Sequence, residues 1–201
     1  MTAKKIIDIA EREIGTKEAP PNSNNVKYNT WYYGHPVSGS AYPWCAVFVS
    51  WVFKDDQALC KKTASCVDML TWFERNGQIV KDPQPGDIVF FKYSTNARRT
   101  NHVGIVKAVN GNTLRTIEGN TSVSSNDNGG SVMERVRGSN IVAYARPKYA
   151  DIQKKTPEEV AAEIAFQKDF GGWGTGAVRR QKLAQAGYDY VTVQKIVNQL
   201  V

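Results

Sequence analysis

The chain has 201 residues, of which 41% are hydrophobic and 22% charged, enough for one ordinary domain with a real core and a small second one. No apolar run approaches the roughly 18 to 20 residues of a membrane span, and Met1 to Gly15 alternates charge with Ile and Ala instead of forming a signal-peptide core. The expectation is a globular protein with no membrane partner and no export signal of its own.

Net charge is +7, with +6 held by residues 1–150 and +1 by residues 151–201. This basic balance suits an anionic partner, either nucleic acid or an anionic envelope polymer, but no nucleic-acid motif accompanies it. Three cysteines are an odd number without zinc spacing, so no disulfide framework is expected, and Cys60 and Cys66 read as two unrelated thiols.

Thr2 to Ile14 places Ile6, Ile7, Ala10 and Ile14 at helical spacing, with Gly15 as the stop. From Ala19 to Pro43 runs a loop of Pro, Asn, Ser and Gly with Tyr28, Trp31, Tyr32, Tyr33 and Tyr42. Long aromatic loops either line a binding groove or pack onto the core; Tyr28, Trp31, Tyr33 and the following Trp44 are the groove candidates. Next, Tyr42-Pro43-Trp44-Cys45-Ala46-Val47-Phe48-Val49-Ser50-Trp51-Val52-Phe53 reads as a buried helix with Pro43 in its first turn. Cys45 then lies where unpaired backbone N–H groups and the helix dipole favour a thiolate. The competing reading is an inert buried cysteine.

Ser65 to Asn76 is a further helix ended by Gly77. The period then changes: Ile88–Phe91, 102–109, 113–118, 131–136 and 141–146 read as strands. Helices followed by antiparallel strands make an α+β domain. His102 opens the second of these strands, and a hairpin through Asn110-Gly111-Asn112 brings it toward Glu118 and Asn120. For these three to share a face, the hairpin needs a three-residue loop or a bulge; a plain two-residue turn would point them apart. A thiolate, an imidazole base and a carboxylate or amide orienting the ring form the logic of a nucleophilic amide hydrolase. His35 competes as base, but sits in a Gly-rich loop before Pro36 with no acid or amide beside it in a strand.

The motifs Pro43-Trp44-Cys45-Ala46-Val47-Phe48-Val49-Ser50-Trp51, Gly86-Asp87-Ile88-Val89-Phe90-Phe91, His102-Val103-Gly104-Ile105-Val106 and Glu118-Gly119-Asn120 resemble the CHAP family of cysteine- and histidine-dependent amidohydrolases/peptidases. The resemblance covers about residues 1–148. It implies a papain-like fold and hydrolysis of peptidoglycan amide bonds, with Cys45 as nucleophile, His102 as base, Glu118 as the acidic third member and Asn120 as an additional polar residue. The backbone N–H of Cys45 and the hydroxyl of Tyr42 are the oxyanion candidates. Some relatives bind calcium through aspartates before the cysteine; Val37 to Trp44 contains no acid, so no metal is expected, and no cofactor.

Residues 149–155 read as a polar linker, and 156–201 as a three-helix bundle opened by the capping box Thr156-Pro157-Glu158-Glu159. The second helix spans Gly176 to Ala186, and Asp189 caps a third through Leu200. Trp173-Gly174-Thr175-Gly176, Arg179, Leu183, Ala186-Gly187-Tyr188-Asp189-Tyr190 and 193–198 resemble the helical cell-wall-binding repeat of some pneumococcal-phage lysozymes, with Thr175 in place of the usual Asn as N-cap. Trp173, Arg179, Tyr188 and Tyr190 are the wall-binding candidates, against a reading in which the rings are core. Together the resemblances imply a phage-type endolysin acting on bacterial peptidoglycan, made in the host cytoplasm and acting on the wall after release. A groove lined by rings suits an extended peptide, which favours an endopeptidase over an N-acetylmuramoyl-L-alanine amidase; the alternative is a catalytically inactive wall-binding protein.

Overall fold

The computed structural model describes residues 1–150 and 155–201, which fall into two compact units, Met1–Ala150 and Asp151–Val201. Most of the expected linker at 149–155 lies outside the described residues. No helix among the described residues is long and apolar enough to cross a membrane.

The first unit begins with α1, Ala3–Glu11, capped by Thr2, whose side chain accepts from the Lys5 N–H. Its apolar stripe, Ile6 and Ala10, enters the core. The aromatic segment expected to be a loop contains a helix, α2, Lys27–Tyr33, closed by Gly34 at φ 80°. Its Asn and aromatic residues are poor helix formers. Tertiary packing makes the difference: Tyr28 is fully buried and its ring meets Trp44, Phe48 and Trp51 at 5.1–5.5 Å. Helix α3 is Cys45–Val52 with Trp44 as its N-cap. Pro43 therefore precedes the cap instead of occupying the first turn, and Cys45 is itself the first helical residue. α4, Cys66–Arg75, is capped by Ser65, whose side chain accepts from the Asp68 N–H.

Six strands form one antiparallel sheet in the order β1-β6-β2-β3-β4-β5: Ile79–Val80, Ile88–Phe91, His102–Asn110, Thr113–Thr121, Ser131–Arg137 and Ile141–Ala145 for β1 to β6. The first is two residues long and carries no sequence period. Alternation divides the sheet into two faces. Ile88, Phe90, Val103, Ile105, Ile117 and Val132 pack with the helices in the main core, while Val89, Phe91, Val106 and Leu114 form a smaller cluster on the other side. The β3–β4 hairpin closes through a two-residue turn, with Asn110 opposite Thr113, and a register shift between Val106 and Ala108 supplies the extra residue. That bulge at Lys107 restores the parity that the turn alone would break, so His102, Gly104 and Glu118 share a face, while at Asn120, at φ 56°, a second irregularity in β4 breaks the alternation. Helices packed on one face of an antiparallel sheet make an α+β, papain-like arrangement.

The second unit holds α5, Pro157–Phe166, with both halves of the capping box at Thr156 and Glu159 formed; a 3₁₀ turn over Lys168–Gly172; α6, Gly176–Gln185; and α7, Tyr190–Leu200, capped by Asp189. Thr175 is the N-cap residue of α6 but makes no side-chain capping bond. Its core is Val160, Ala161, Ile164, Leu183, Val193 and Val197.

Contact between α3 and the sheet depends on Gly119. A Cβ there would lie 2.5 Å from Phe48 Cβ and 2.9 Å from the Trp44 ring. Gly119→Ala should therefore force α3 off the sheet and cost about 1–3 kcal/mol, read as a lower urea midpoint with unchanged slope.

Candidate active site

Cys45 opens α3, and no side chain caps that helix end. Its own N–H and that of Ala46 lie outside the helical ladder, leaving donors for an anion. The sulfur is 3.5 Å from Cys66 Sγ and 3.9 Å from the Asn101 carbonyl oxygen, to which the thiol can donate. The Cys66 hydrogen bond holds the Cys45 thiol well below its ordinary pKa; burial opposes this, and His102 and the Ala46 N–H lower it further. Cys66 is pushed the other way, chiefly by the same bond and by burial.

His102 is fully buried at the first position of β3, on the sheet face away from α3. The start of the strand and the start of the helix adjoin, since the Cys45 sulfur lies beside the carbonyl of Asn101, the residue before His102. His102 Nε2 lies 2.9 Å from Glu118 Oε2. A carboxylate there calls for a proton on Nε2, which leaves Nδ1, a buried atom with no hydrogen-bond partner among the described residues, as the one available to Cys45. Burial works against an imidazolium here, yet hydrogen bonds with Cys45 and Glu118 outweigh it and raise the pKa from 6.5 to about 9. The thiol is thus lowered and the imidazole raised, the directions that favour a thiolate beside an imidazolium.

Glu118 is fully buried and its carboxylate is saturated. Arg137 Nε donates to Oε1 at 2.8 Å and Nη2 to Oε2 at 2.5 Å, and the Thr116 hydroxyl donates to Oε1 at 2.5 Å. Burial alone would raise this acid, but Arg137 first and His102 second bring it from 4.5 down to about 2. Space for the carboxylate comes from Gly104, where a Cβ would sit 2.6 Å from Glu118 Cγ. The Arg137 guanidinium lies over the Phe91 and Tyr93 rings at 5.6 and 5.3 Å.

Asn120, also buried, does not bond the imidazole. Its Oδ1 accepts from the Gly130 N–H at 3.2 Å and its carbonyl from the Gly129 N–H at 2.9 Å, so it closes the loop 121–130. That loop returns to the site through Asp127, which accepts from Asn101, and Asn126, which accepts from Arg137. Arg137, Asn101 and Cys66 were not among the sequence candidates. Only the alternation of β5 could have flagged Arg137, as a charge on an inward position, and nothing local marks the other two.

The other candidates divide. Tyr28 and Trp44 are fully buried, and the Trp44 indole donates to Glu18 at 2.8 Å, so neither can line an open groove. Trp31, Tyr33 and Tyr42 are half-buried; Tyr33 packs edge-on to Tyr42 at 5.1 Å, and Lys62 lies 4.5 Å from the Trp31 ring centre. His35 is exposed and contacts only its neighbour's carbonyl, that of Pro36, among the hydrogen bonds described. In the second unit, Arg179 is buried, with Nε on the Gly174 carbonyl at 2.8 Å and Nη1 on Gln194 at 2.9 Å. It ties α6 to α7 rather than reaching outward. The Trp173 ring meets Tyr188 edge-on at 5.9 Å and its indole donates to Glu163, while Tyr190 lies under Arg180 at 4.7 Å.

Replacing Arg137 by Met should leave a buried carboxylate without its cation, a loss of about 3–5 kcal/mol. The sign follows from the depressed acid: its stabilisation is present above the ordinary value of 4.5 and fades as pH falls through about 2. In Arg137→Met the stability lost on acidification below 4.5 should be smaller and should be complete at a higher pH than in the wild type, measured by denaturant titrations across a pH series.

Residues 37–120 match the CHAP domain and residues 169–201 the CW_7 repeat. A search of curated proteins gives no match. Among solved structures the chain is similar to Ly7917, with 16% identity and a TM-score of 0.46, over 73% of this chain and 62% of that one. It is also similar to Ly7917 with the hydrolysing product of MDP, with 15% identity and a TM-score of 0.43, over 73% of this chain and 63% of that one. The chain thus spans less than two thirds of these relatives' length. Two domain models, the CHAP domain and then the CW_7 repeat, thus match in order along the chain.

Proposed function

We propose that this chain is a peptidoglycan hydrolase that cleaves amide bonds of the bacterial cell wall through Cys45. The observation that supports it most is the buried line Cys45, His102, Glu118 and Arg137, in which a lowered thiol faces a raised imidazole held by an ionised carboxylate. An inert buried cysteine has no need of such a partner. In this reading the Cys45 thiolate adds to the amide carbonyl carbon, and the oxyanion takes hydrogen bonds from the Cys45 N–H and the Tyr42 hydroxyl. His102 gives its proton to the leaving nitrogen, the C–N bond breaks and a thioester remains. The now neutral imidazole takes a proton from water, whose oxygen attacks the thioester and releases a carboxylate and the thiol. Glu118 orients the ring throughout, Arg137 keeps Glu118 ionised, and Asn120 positions the loop beside them.

The assignment extends to the domains: residues 1–148 catalyse and residues 156–201 bind the wall, raising local concentration without touching the scissile bond. Pairing a hydrolase with a wall-binding repeat supports a phage endolysin that acts after release from the host cytoplasm. The rings of Tyr33 and Tyr42, close in sequence to Cys45, suit an extended peptide and favour cleavage within the stem or cross-bridge. Mass spectrometry of digested walls tests this. New free N-termini on intact muropeptides are expected; peptides starting at L-alanine, freed from the sugar chains, would establish an amidase.

Cys45→Ala should abolish lysis of purified walls while leaving the fold intact by circular dichroism. Lysis retained by that variant would place the nucleophile elsewhere. In the wild type the kcat/KM profile should fall on its alkaline side near pH 9, because protonated His102 is the required acid and is lost as pH rises through its folded pKa of about 9. The same sign holds for stability: protonated His102 stabilises the folded state fully below its ordinary 6.5, and that contribution disappears through about 9.

A further inference from the structure

Cys66 helps to hold the Cys45 thiol down but makes no bond to substrate in the chemistry above, and its sulfur lies beside that of the proposed nucleophile. The two residues are 21 apart in sequence and their sulfurs 3.5 Å apart, brought together because each is the first residue of its helix, α3 and α4. We propose that Cys45 and Cys66 form a reversible disulfide when the protein meets hydroperoxides, so that Cys66 serves as a resolving cysteine for Cys45. The functional consequence rests on reading Cys45 as the nucleophile; the bond itself does not.

Geometry carries the argument. A disulfide holds its sulfurs about 2.05 Å apart, so the pair must close by roughly 1.5 Å, a distance that small side-chain rotations can share. Both residues are buried, with 4% of Cys45 and 8% of Cys66 exposed, so an oxidant must be as small as hydrogen peroxide to reach them. The electrostatics are divided as the chemistry requires. Cys45 is held toward the thiolate and Cys66 toward the thiol, so one sulfur attacks the oxidant and the other waits beside it. Cys60 offers a contrast within the same chain: it is 1% exposed, burial pushes its thiol up, and its sulfur points at the Lys61 carbonyl.

The steps balance with peroxide as the oxidant. Cys45 thiolate attacks one peroxide oxygen, the O–O bond breaks, and hydroxide leaves from a Cys45 sulfenic acid. Cys66 sulfur then attacks the Cys45 sulfur, the S–O bond breaks, and the departing hydroxide takes the Cys66 proton as water. Two thiols have given two electrons to one peroxide. An external dithiol returns both electrons and restores Cys45 through a mixed disulfide. Without a neighbour the sulfenic acid would proceed to sulfinic acid, which dithiols do not reverse. The pair therefore spares the nucleophile as it silences it.

The test treats the full chain with hydrogen peroxide, alkylates the remaining thiols and maps peptides by mass, with wall lysis followed in parallel. The expected product joins the Cys45 and Cys66 peptides, two hydrogens lighter than the free pair, with Cys60 still alkylated; dithiothreitol should dissolve it. Lysis should fall toward the level of Cys45→Ala and return with the dithiol. In Cys66→Ser, with activity normalised to its own untreated sample, the loss should no longer be recovered, and Cys45 should appear as sulfinic acid. Cys45 oxidised singly in the wild type while Cys66 remains alkylated would overturn the proposal, as would a Cys60–Cys66 bond. A Cys45–Cys66 bond in a protein with no lytic activity before treatment would instead uphold the dithiol and remove the hydrolase reading.

Discussion

A fully buried carboxylate at Glu118 is the constraint around which the first unit is arranged. An ion this far from water costs several kcal/mol unless every lone pair is met, and here Arg137, His102 and Thr116 meet them. Each partner then imposes something of its own. Arg137 must lie buried across Phe91 and Tyr93, Thr116 must precede Glu118 by two residues on the same face, and Gly104 must lack a side chain opposite the carboxylate. In return the imidazole is held in one orientation, with Nδ1 left for the thiol.

The other half of the site comes from element ends rather than faces. α3 begins at Cys45 without a side-chain cap, an omission that would ordinarily cost about 1 kcal/mol but that leaves N–H donors for a thiolate or an oxyanion. Gly119 lets that helix settle directly on β4, with Phe48 and Trp44 against the strand. Neighbouring residues on β4 thus serve opposite faces: Gly119 admits the helix, and Glu118 anchors the histidine. Around them the loops 94–101 and 121–130 are stitched together by Asn101, Asp127, Asn126 and Asn120, a polar network that frames the thiol while remaining outside the apolar core.

The second unit is held on different terms. Six buried aliphatic residues supply a small core. Much of its order comes from local devices: the Thr156–Glu159 capping box, Asp189 at the start of α7, and Arg179 bonded to Gly174 and Gln194. Trp173, Tyr188 and Tyr190 are half-buried and pack against that core, and Arg180 lies over the Tyr190 ring.

Read by itself, the sequence determined what is local. Period and capping residues place α1, α4, α5 and α7, alternation places β2 to β6, and the order of helices before strands is enough for the α+β class, because such signals depend only on neighbours a few residues apart. The same locality puts Cys45 at a helix start and His102 at a strand start, and the parity argument required either a three-residue loop or a bulge, of which the structure has the bulge, at Lys107. What only the tertiary structure decided depends on contacts between distant segments. α2 is a helix because Tyr28 has a place in the core, despite a composition that reads as loop; the same burial removes Tyr28 and Trp44 from any groove. Pairing across β4 and β5 brings Arg137 to Glu118 over 19 residues, and helix packing brings Cys66 to Cys45 over 21, at separations where no periodic signal survives. Local sequence can offer a charge or a thiol, but a buried ion or a paired sulfur acquires its partner only when the chain closes upon itself.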